Sequence, residues 1–347
     1  MLPHWIKDAV FAGRIWRANG SEAARRWWHE RNANHLHVVW RDPPVVYVWW
    51  GKDDHALQFA LRNQPLILLY LFPWCTTLAS IPEIAAEIQK RRGNFPGHRH
   101  VLLCNEAFTV EPLRAAGCEA VFCNQNAFIN ENVFHPLPGA VKEFDAVYNA
   151  ALSPYKRHPL AAQVRSLLLL TYSYAGTHRS AYEEETRRVL AHAAWLKDSK
   201  SAAEKVTPQQ MVAFYSRAHV GLTLSATEGA VFVSMEYLLC GLPVVSTPSV
   251  GGRDSFWDDR FVIVCDPEPE KIAAAVQELK ARKLDPQFVR AATLDRVQQH
   301  REVLRKLLAP VKADRFACPW PPGSHGPFTF LNLGKVGQAI RTGAPLP

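Results

Sequence analysis

Short apolar runs alternate with amphipathic stretches along the first third of the chain. The runs are rich in β-branched and aromatic residues, which favours strands, whereas the stretches between them have helical composition. This alternation predicts a parallel sheet covered by helices. The predicted strands are 35–40, 45–50, 66–71, 100–105 and 119–124, and the predicted helices are 81–92 and 110–117.

The same alternation returns after a turn-rich segment at 130–139, where asparagine, proline and glycine cluster. We predict a linker there and hence two α/β domains, at 1–138 and 139–310. A tail at 311–347, rich in proline and glycine at its start, is expected to pack back on the first domain. The second set of predicted strands is 144–150, 166–174, 219–226, 242–247 and 261–266, and the second set of helices is 158–167, 207–218, 231–240 and 269–283.

The first 35 residues have helical composition and contain four tryptophans interleaved with arginines. Gly20 followed by Ser21, a favourable N-cap, predicts two helices here rather than one. A cluster of this kind usually packs into a core or an interdomain face. It also suits a peripheral contact with a membrane surface, and both interpretations stay open.

Composition describes an ordinary globular protein, 48% hydrophobic and 21% charged. No apolar run reaches the roughly 20 residues of a membrane-spanning helix, and the start lacks the pattern of a signal peptide. Seven cysteines without a CxxC pair predict free thiols and a cytoplasmic location. The net charge of +8 is concentrated after Lys280, on solvated helix faces or on a surface for an anion. No signature of nucleic-acid binding is present.

Two glutamates eight positions apart, Glu228 and Glu236, lie around the start of a predicted helix. If this interval were fully helical, the carboxylates would be about 12 Å apart. That is too far for an acid/base pair acting on one bond, where carboxyl groups lie about 5–9.5 Å apart. The spacing suits two contacts to an elongated ligand, and the helix N-terminus between them favours a phosphate. A nucleotide-diphosphate sugar, with hydroxyls at both ends, has the matching layout.

The residues around the two glutamates form the pattern EGxxxxxxE followed by CGLPVV. Four collinear segments accompany it, at 123–138, 147–161, 207–229 and 251–259. Together they resemble the retaining GT-B glycosyltransferases of the group 1, family 4-like type. The resemblance covers residues 120–280 and implies an α/β protein with two Rossmann-like domains, whose parallel sheets face a central cleft.

The resemblance implies that each residue of the pattern binds a different part of a nucleotide-sugar donor. Glu236 would bind the ribose hydroxyls of the nucleotide, and Glu228 the hydroxyls of the sugar. Lys156 matches the lysine that neutralises the diphosphate and helps it leave, a role that needs a cation aimed at developing charge. Each also has a structural interpretation, as a solvated charge or, for Glu228, as a helix cap. The loop that would face the sugar and diphosphate comprises Gly229, Ala230 and Val231.

The sequence departs from the family pattern in two places. An arginine usually stands five positions before the lysine, where this chain has Ala151, so one phosphate-binding cation is missing. Arg157, His158 and Arg253 are the candidates to replace it. The usual Gly-Phe-Gly after the first glutamate is Gly-Ala-Val here, which gives the donor loop less conformational freedom.

Polar residues at strand ends of the first domain are weaker candidates, for the acceptor side of the cleft. Ordinary turn chemistry explains asparagines at such positions equally well. The candidates are Asn105, Glu106, Asn124 and Asn126.

The predicted function is transfer of a hexose from a UDP-, GDP- or ADP-linked sugar to an acceptor hydroxyl with retention of configuration. The acceptor would be a glycan, a lipid or a small molecule. No cofactor or metal ion is expected, because Lys156 and the helix N-terminus supply the positive field and no DxD motif stands in a suitable place. Two alternatives stay open: a non-catalytic GT-B-like protein that binds a nucleotide or glycan, and a sugar-nucleotide epimerase or phosphorylase of the same architecture.

Overall fold

The computed structural model describes residues 36–41, 43–51, 54, 58, 61–63, 65–172, 181–196 and 206–311. The predictions for the Trp-rich start and for the tail beyond 311 lie outside these residues. The described chain divides into two units, the first made of residues up to Gln125 and from Arg301 onward, the second of Asn126–His300. The six cysteines described are free thiols.

The first unit is built on a five-stranded sheet in the order β1-β2-β3-β4-β5. Strands β2 to β5 are parallel, as predicted. Strand β1 is antiparallel to β2, because the two residues between them are too few for a crossover. Its elements are β1 Leu36–Arg41, β2 Pro44–Trp49, β3 Leu66–Leu71, α1 Ile81–Asn94, β4 His98–Cys104, α2 Val110–Ala115 and β5 Glu119–Phe122.

The second unit is built on a six-stranded parallel sheet in the order β11-β10-β9-β6-β7-β8. Its strands are β6 Phe144–Ala151, β7 Leu167–Tyr172, β8 Ala194–Trp195, β9 Ala218–Thr223, β10 Val244–Ser246 and β11 Val262–Val264. Its helices are α3 Ala181–Val189, α4 Pro208–Ser216, α5 Phe232–Leu239, α6 Pro269–Ala281 and α7 Pro286–Leu308, of which the last continues into the first unit.

The two α/β units with parallel sheets confirm the fold class predicted from the alternating pattern. Strand β3 is buried at all six positions, as expected for a parallel strand covered on both faces. Helix α4 begins where its sequence predicts, with Thr207 and Gln210 forming a reciprocal capping box and Pro208 at the first turn.

The segment predicted as a linker, 130–139, packs against the second unit. Arg290 of α7 donates to the carbonyls of Glu131 at 2.7 Å and Phe134 at 2.6 Å. The second unit therefore begins at Asn126, ahead of the boundary placed at 138/139.

The helix predicted at 158–167 is wrong. The chain makes only one 3₁₀ turn, His158–Ala161, before β7 begins at Leu167. Arg157, just before that turn, has the left-handed backbone angle φ = 52°, which no helix interior accepts. Lys156 lies immediately before this residue, in the 3₁₀ turn Pro154–Lys156.

Candidate active site

The strand order of the second sheet reverses between β6 and β9. The chain runs outward from β6 to β8 and then returns to β9, which pairs with the other edge of β6. In open parallel sheets, ligands bind outside the carboxyl ends of the strands at such a switch point. Lys156 follows β6 and Glu228 follows β9, so the fold brings the two predicted side chains to the same edge.

Lys156 and Glu228 form an ion pair at this edge, between Nζ and Oε1. The side chains are only 14% and 7% exposed, so neither is a solvated surface charge. Ser225 Oγ donates to the same carboxylate oxygen at 2.5 Å, and the Glu228 N–H donates to the Val250 carbonyl at 2.9 Å. The pair is therefore built into the strand ends rather than left to mobile side chains.

Three residues, Gly229, Ala230 and Val231, form the loop between Glu228 and α5. In the part of the chain that the structure describes, their N–H groups have no hydrogen-bond acceptor. Buried backbone donors are rarely left unpaired, and such a run at a helix N-terminus is suited to bind an anion. These donors directly follow Glu228, the residue that pairs with Lys156.

Val231 has an unusual backbone conformation, with φ = 54° in the left-handed region. For a β-branched residue this is a genuine outlier, costing about 1–3 kcal/mol. The position is the one where the family pattern has its second glycine, which adopts this conformation freely. A valine thus adopts the left-handed conformation at a position where the family pattern has a residue that adopts it without strain.

Asn126 contacts this loop. Its Nδ2 donates to the carbonyls of Ala230 at 2.5 Å and Val231 at 3.1 Å, and its side chain is buried. Asn126 was predicted on the acceptor side, and that role stays a prediction. In the structure Asn126 belongs to the second unit and contacts the loop predicted to face the donor.

Glu236 lies on α5, where it is partly buried in a network of polar side chains. Its Oε2 accepts a hydrogen bond from the Tyr215 hydroxyl at 2.6 Å, and Asn149 Nδ2 donates to that hydroxyl at 2.6 Å. Burial raises the pKa of Glu236 from its ordinary 4.5 to about 7. The neighbouring Tyr237 ring packs where a β-carbon on Gly221 would lie, so only glycine fits there.

Arg253, a candidate phosphate cation, is fully buried and binds backbone carbonyls instead. Its guanidinium donates to Thr223 at 3.1 Å and Ser225 at 3.0 Å, and to Thr247 at 2.6 Å. These carbonyls follow the ends of β9 and β10 or lie within them. Three hydrogen bonds of Arg253 thus join the two strand ends next to Glu228, and its Nε donates to Asp254 Oδ1 at 3.1 Å.

The other two candidate cations also have internal partners. Arg157 donates to the Leu224 carbonyl and to Thr247 Oγ1, both at 2.6 Å. His158 Nδ1 lies 3.0 Å from the Tyr182 hydroxyl, and burial lowers the pKa of His158 to about 4, which keeps it neutral. Ala151 itself is fully buried, so an arginine at that position would have to displace the core.

The remaining acceptor-side candidates join strand ends within the first unit. Asn105 Nδ2 donates to the Phe72 carbonyl at 3.0 Å, and Asn124 Nδ2 to the Asn105 carbonyl at 3.2 Å. Glu106 Oε1 accepts from the Thr76 N–H at 3.3 Å. These bonds fit the structural interpretation of turn asparagines; an acceptor role for Asn105, Glu106 and Asn124 stays a prediction.

Among the described residues, no three His, Cys, Asp or Glu side chains stand close enough together to bind a metal ion. None of the helices in the same part of the chain has the length and apolar character needed to cross a bilayer.

Comparison with known proteins relates this geometry to a family. Residues 153–282 match the family model described as Glycosyl transferases group 1, which covers somewhat more than a third of the chain. No curated protein matches the sequence.

Solved structures are similar over a larger part of the chain. HepE from Anabaena, solved with UDP, is 15% identical, with 74% of this chain and 75% of that one covered and a TM-score of 0.52. The pneumococcal O-GlcNAc transferase GtfA, solved with UDP and GlcNAc, is 15% identical over 85% of this chain and 60% of its own, with a TM-score of 0.52. The N-terminal domain of trehalose-6-phosphate phosphatase from Candida albicans is 9% identical over 90% and 75%, with a TM-score of 0.53.

The chain therefore has the GT-B fold of glycosyltransferases, with two Rossmann-like units. The residues matched by the family model, 153–282, include Lys156, the loop 229–231 and both glutamates.

Three contributors to the site were not identified from the sequence: Ser225, Tyr215 and Asn149. Ser225 stands three positions before Glu228, a spacing at which a serine hydroxyl commonly bonds locally, so a signal was present. Tyr215 on α4 donates to Glu236, and Asn149 on β6 donates to the Tyr215 hydroxyl. The local sequence around these two residues does not indicate either contact.

Proposed function

We propose that the chain transfers a hexose from a nucleoside-diphosphate sugar to an acceptor hydroxyl, with retention of configuration and without a metal ion. The single observation that carries this proposal is the buried Lys156–Glu228 ion pair, followed in the chain by three backbone N–H groups that have no acceptor among the described residues. A diphosphate can take over the ammonium group and the N–H groups, which leaves the Glu228 carboxylate for the sugar hydroxyls. In this proposal the Glu236 carboxylate accepts hydrogen bonds from the ribose hydroxyls.

The reaction needs no nucleophile from the protein. The bond between the anomeric carbon and the diphosphate oxygen breaks, and the acceptor oxygen forms its bond to the same face of that carbon. The acceptor proton passes to the leaving diphosphate, whose developing charge Lys156 and the donor loop stabilise. Arg253 takes no direct part in this scheme; it fixes the strand ends from which Glu228 follows.

The test is a binding and turnover panel. UDP, GDP, ADP and their glucose conjugates are titrated by calorimetry and thermal shift, with UDP first because two of the similar structures hold it. Release of the nucleoside diphosphate from the bound sugar conjugate is then followed with and without acceptor sugars. Binding with slow release that an acceptor accelerates is the expected result. Binding without any release would favour a non-catalytic protein, and no binding would refute the proposal.

The stereochemical part is tested separately. An α-linked donor is expected to give an α-linked product by proton NMR at early times. An inverted product would require a second carboxylate or histidine acting as base on the opposite face, and would remove the retaining mechanism while leaving the transfer itself in place.

A further inference from the structure

Asn126 and Val231 are 105 positions apart in the chain and meet in one contact within the second unit. The Asn126 amide nitrogen donates to two successive carbonyls, those of Ala230 and Val231. Val231 is also the residue with the disfavoured left-handed backbone. The two hydrogen bonds from Asn126 are thus made to the residue whose backbone conformation is disfavoured and to the residue before it.

The geometry of the peptide bond links this contact to the other side of the loop. In a planar trans peptide the N–H points opposite to the carbonyl oxygen. The Ala230 carbonyl shares its peptide plane with the Val231 N–H, and the Val231 carbonyl shares its plane with the Phe232 N–H. Because both carbonyls point toward Asn126, both N–H groups point away from it, and that of Val231 has no acceptor in the described part of the chain.

We propose that Asn126 is a positioning residue that keeps Val231 in the left-handed conformation and thereby directs the N–H groups of the donor loop at the donor's diphosphate. The inference rests on the proposed function for the identity of the ligand. The claim that Asn126 stabilises the left-handed conformation of Val231 does not depend on that function. A glycine at position 231 would hold the same conformation without help. Asn126 therefore compensates for the valine that stands where the family pattern has glycine.

The test uses two substitutions and their combination in the full chain. Asn126→Ala removes both hydrogen bonds, and Val231→Gly makes the left-handed conformation intrinsically accessible. We expect Asn126→Ala to weaken binding of UDP about tenfold or more while leaving uridine binding unchanged, because only phosphate contacts are disturbed. Adding Val231→Gly to Asn126→Ala is expected to restore most of the UDP affinity.

Asn130→Ala is the matched control. Asn130 is as buried as Asn126, and its Oδ1 accepts a hydrogen bond from the Asn132 N–H at 3.0 Å. It is expected to change UDP affinity less than twofold. Equal losses for UDP and uridine in Asn126→Ala, a loss of UDP affinity in Asn130→Ala of the same size, or failure of Val231→Gly to restore binding would each overturn the inference.

A second readout does not depend on any nucleotide. Urea unfolding of the wild type, the two single variants and the double variant gives a double-mutant cycle. The inference predicts that Asn126→Ala is less destabilising in the Val231→Gly background than in the wild type. If the wild type binds none of the nucleotides, the proposed function fails and this cycle alone decides the role of Asn126; additive effects would contradict it.

Discussion

Lys156 and Glu228 stand 72 positions apart, yet their side chains form one ion pair beside the reversal in the strand order of the second sheet. Removing one partner of a buried pair typically costs about 3–5 kcal/mol of stability, because the other charge is left uncompensated. A bound donor would supply new partners to both, phosphate to the ammonium group and hydroxyls to the carboxylate. The pair is therefore both a structural element of the free protein and the candidate site for the donor.

Glu228→Gln tests whether Glu228 contacts the sugar of the donor rather than its nucleotide. The amide keeps the shape of the side chain but loses the charge that would accept hydrogen bonds from sugar hydroxyls, bonds worth about 1.5–3 kcal/mol. We expect UDP-glucose binding to weaken at least tenfold and UDP binding to change little, measured by calorimetry. Glu143→Gln, at an exposed ion pair with Arg217, is the control. An equal loss for UDP and UDP-glucose would place Glu228 at the nucleotide instead.

The raised pKa of Glu236 makes nucleotide binding depend on pH. Its carboxylate forms only as the pH rises through about 7, and the carboxylate accepts the ribose hydroxyls better than the neutral acid does. Affinity for UDP-glucose, whose diphosphate has no group that titrates in this range, is therefore expected to increase from pH 6 to pH 8. In Glu236→Gln it should be lower and nearly independent of pH, which tests whether this residue is responsible.

Tyr215→Phe refines that test. The Tyr215 hydroxyl donates to the Glu236 carboxylate and so lowers the pKa that burial raises. Its removal is expected to move the midpoint of the affinity profile to higher pH. A midpoint that does not move would show that another group titrates.

The same pKa has a consequence for stability. Because the pKa of Glu236 is raised in the folded state, its stabilising contribution is fully present below about pH 4.5 and is lost as the pH rises through about 7. As the pH rises over this interval, the wild type should therefore lose unfolding free energy, measured in urea, relative to Glu236→Gln. A constant difference would contradict the raised pKa.

Arg253→Met is expected to destabilise the second unit. It leaves the carbonyls of Thr223, Ser225 and Thr247 without these donors inside the protein, and each unpaired buried group costs about 1–3 kcal/mol. We expect the free energy of unfolding to fall by at least about 2 kcal/mol. Arg260→Met, at a side chain 55% exposed, should change it by less than about 1 kcal/mol. A stable Arg253→Met that loses only UDP affinity would return Arg253 to the phosphate site.

The fold class was predictable because it depends on local patterns. The apolar runs of β3 and β9 are read directly from the chain, as is the Thr-Pro start of α4. The helix predicted at 158–167 is absent although the segment has helical composition. After the left-handed Arg157, the chain makes one 3₁₀ turn and then enters β7. Periodicity measures a preference for helix, and here the tertiary structure decided otherwise.

The site was predictable only in part, for a similar reason. Lys156, Glu228 and Glu236 stand in segments whose order matches a family pattern, so their type and spacing carried information. Whether Arg253 faces a ligand or a set of carbonyls depends on how β9 and β10 end, which no spacing shows. The contact of Asn126 with Val231 joins two distant segments, and neither segment alone indicates it.

Turnover by Lys156→Met tests the central claim most directly. Lys156 is proposed to stabilise the leaving diphosphate, and loss of one such preorganised donor typically lowers the rate about 10²–10³-fold. Lys280→Met is the matched control, since Lys280 also pairs with a buried carboxylate, Asp145, but at the opposite ends of the strands. Both variants are first shown to be folded by urea unfolding.

The measurement is the rate of UDP release from UDP-glucose, or from whichever sugar conjugate the wild type binds, at saturating donor. The account predicts a loss of about 10²-fold or more in kcat for Lys156→Met and less than about threefold for Lys280→Met. A folded Lys156→Met that releases the nucleotide at the wild-type rate would contradict the account.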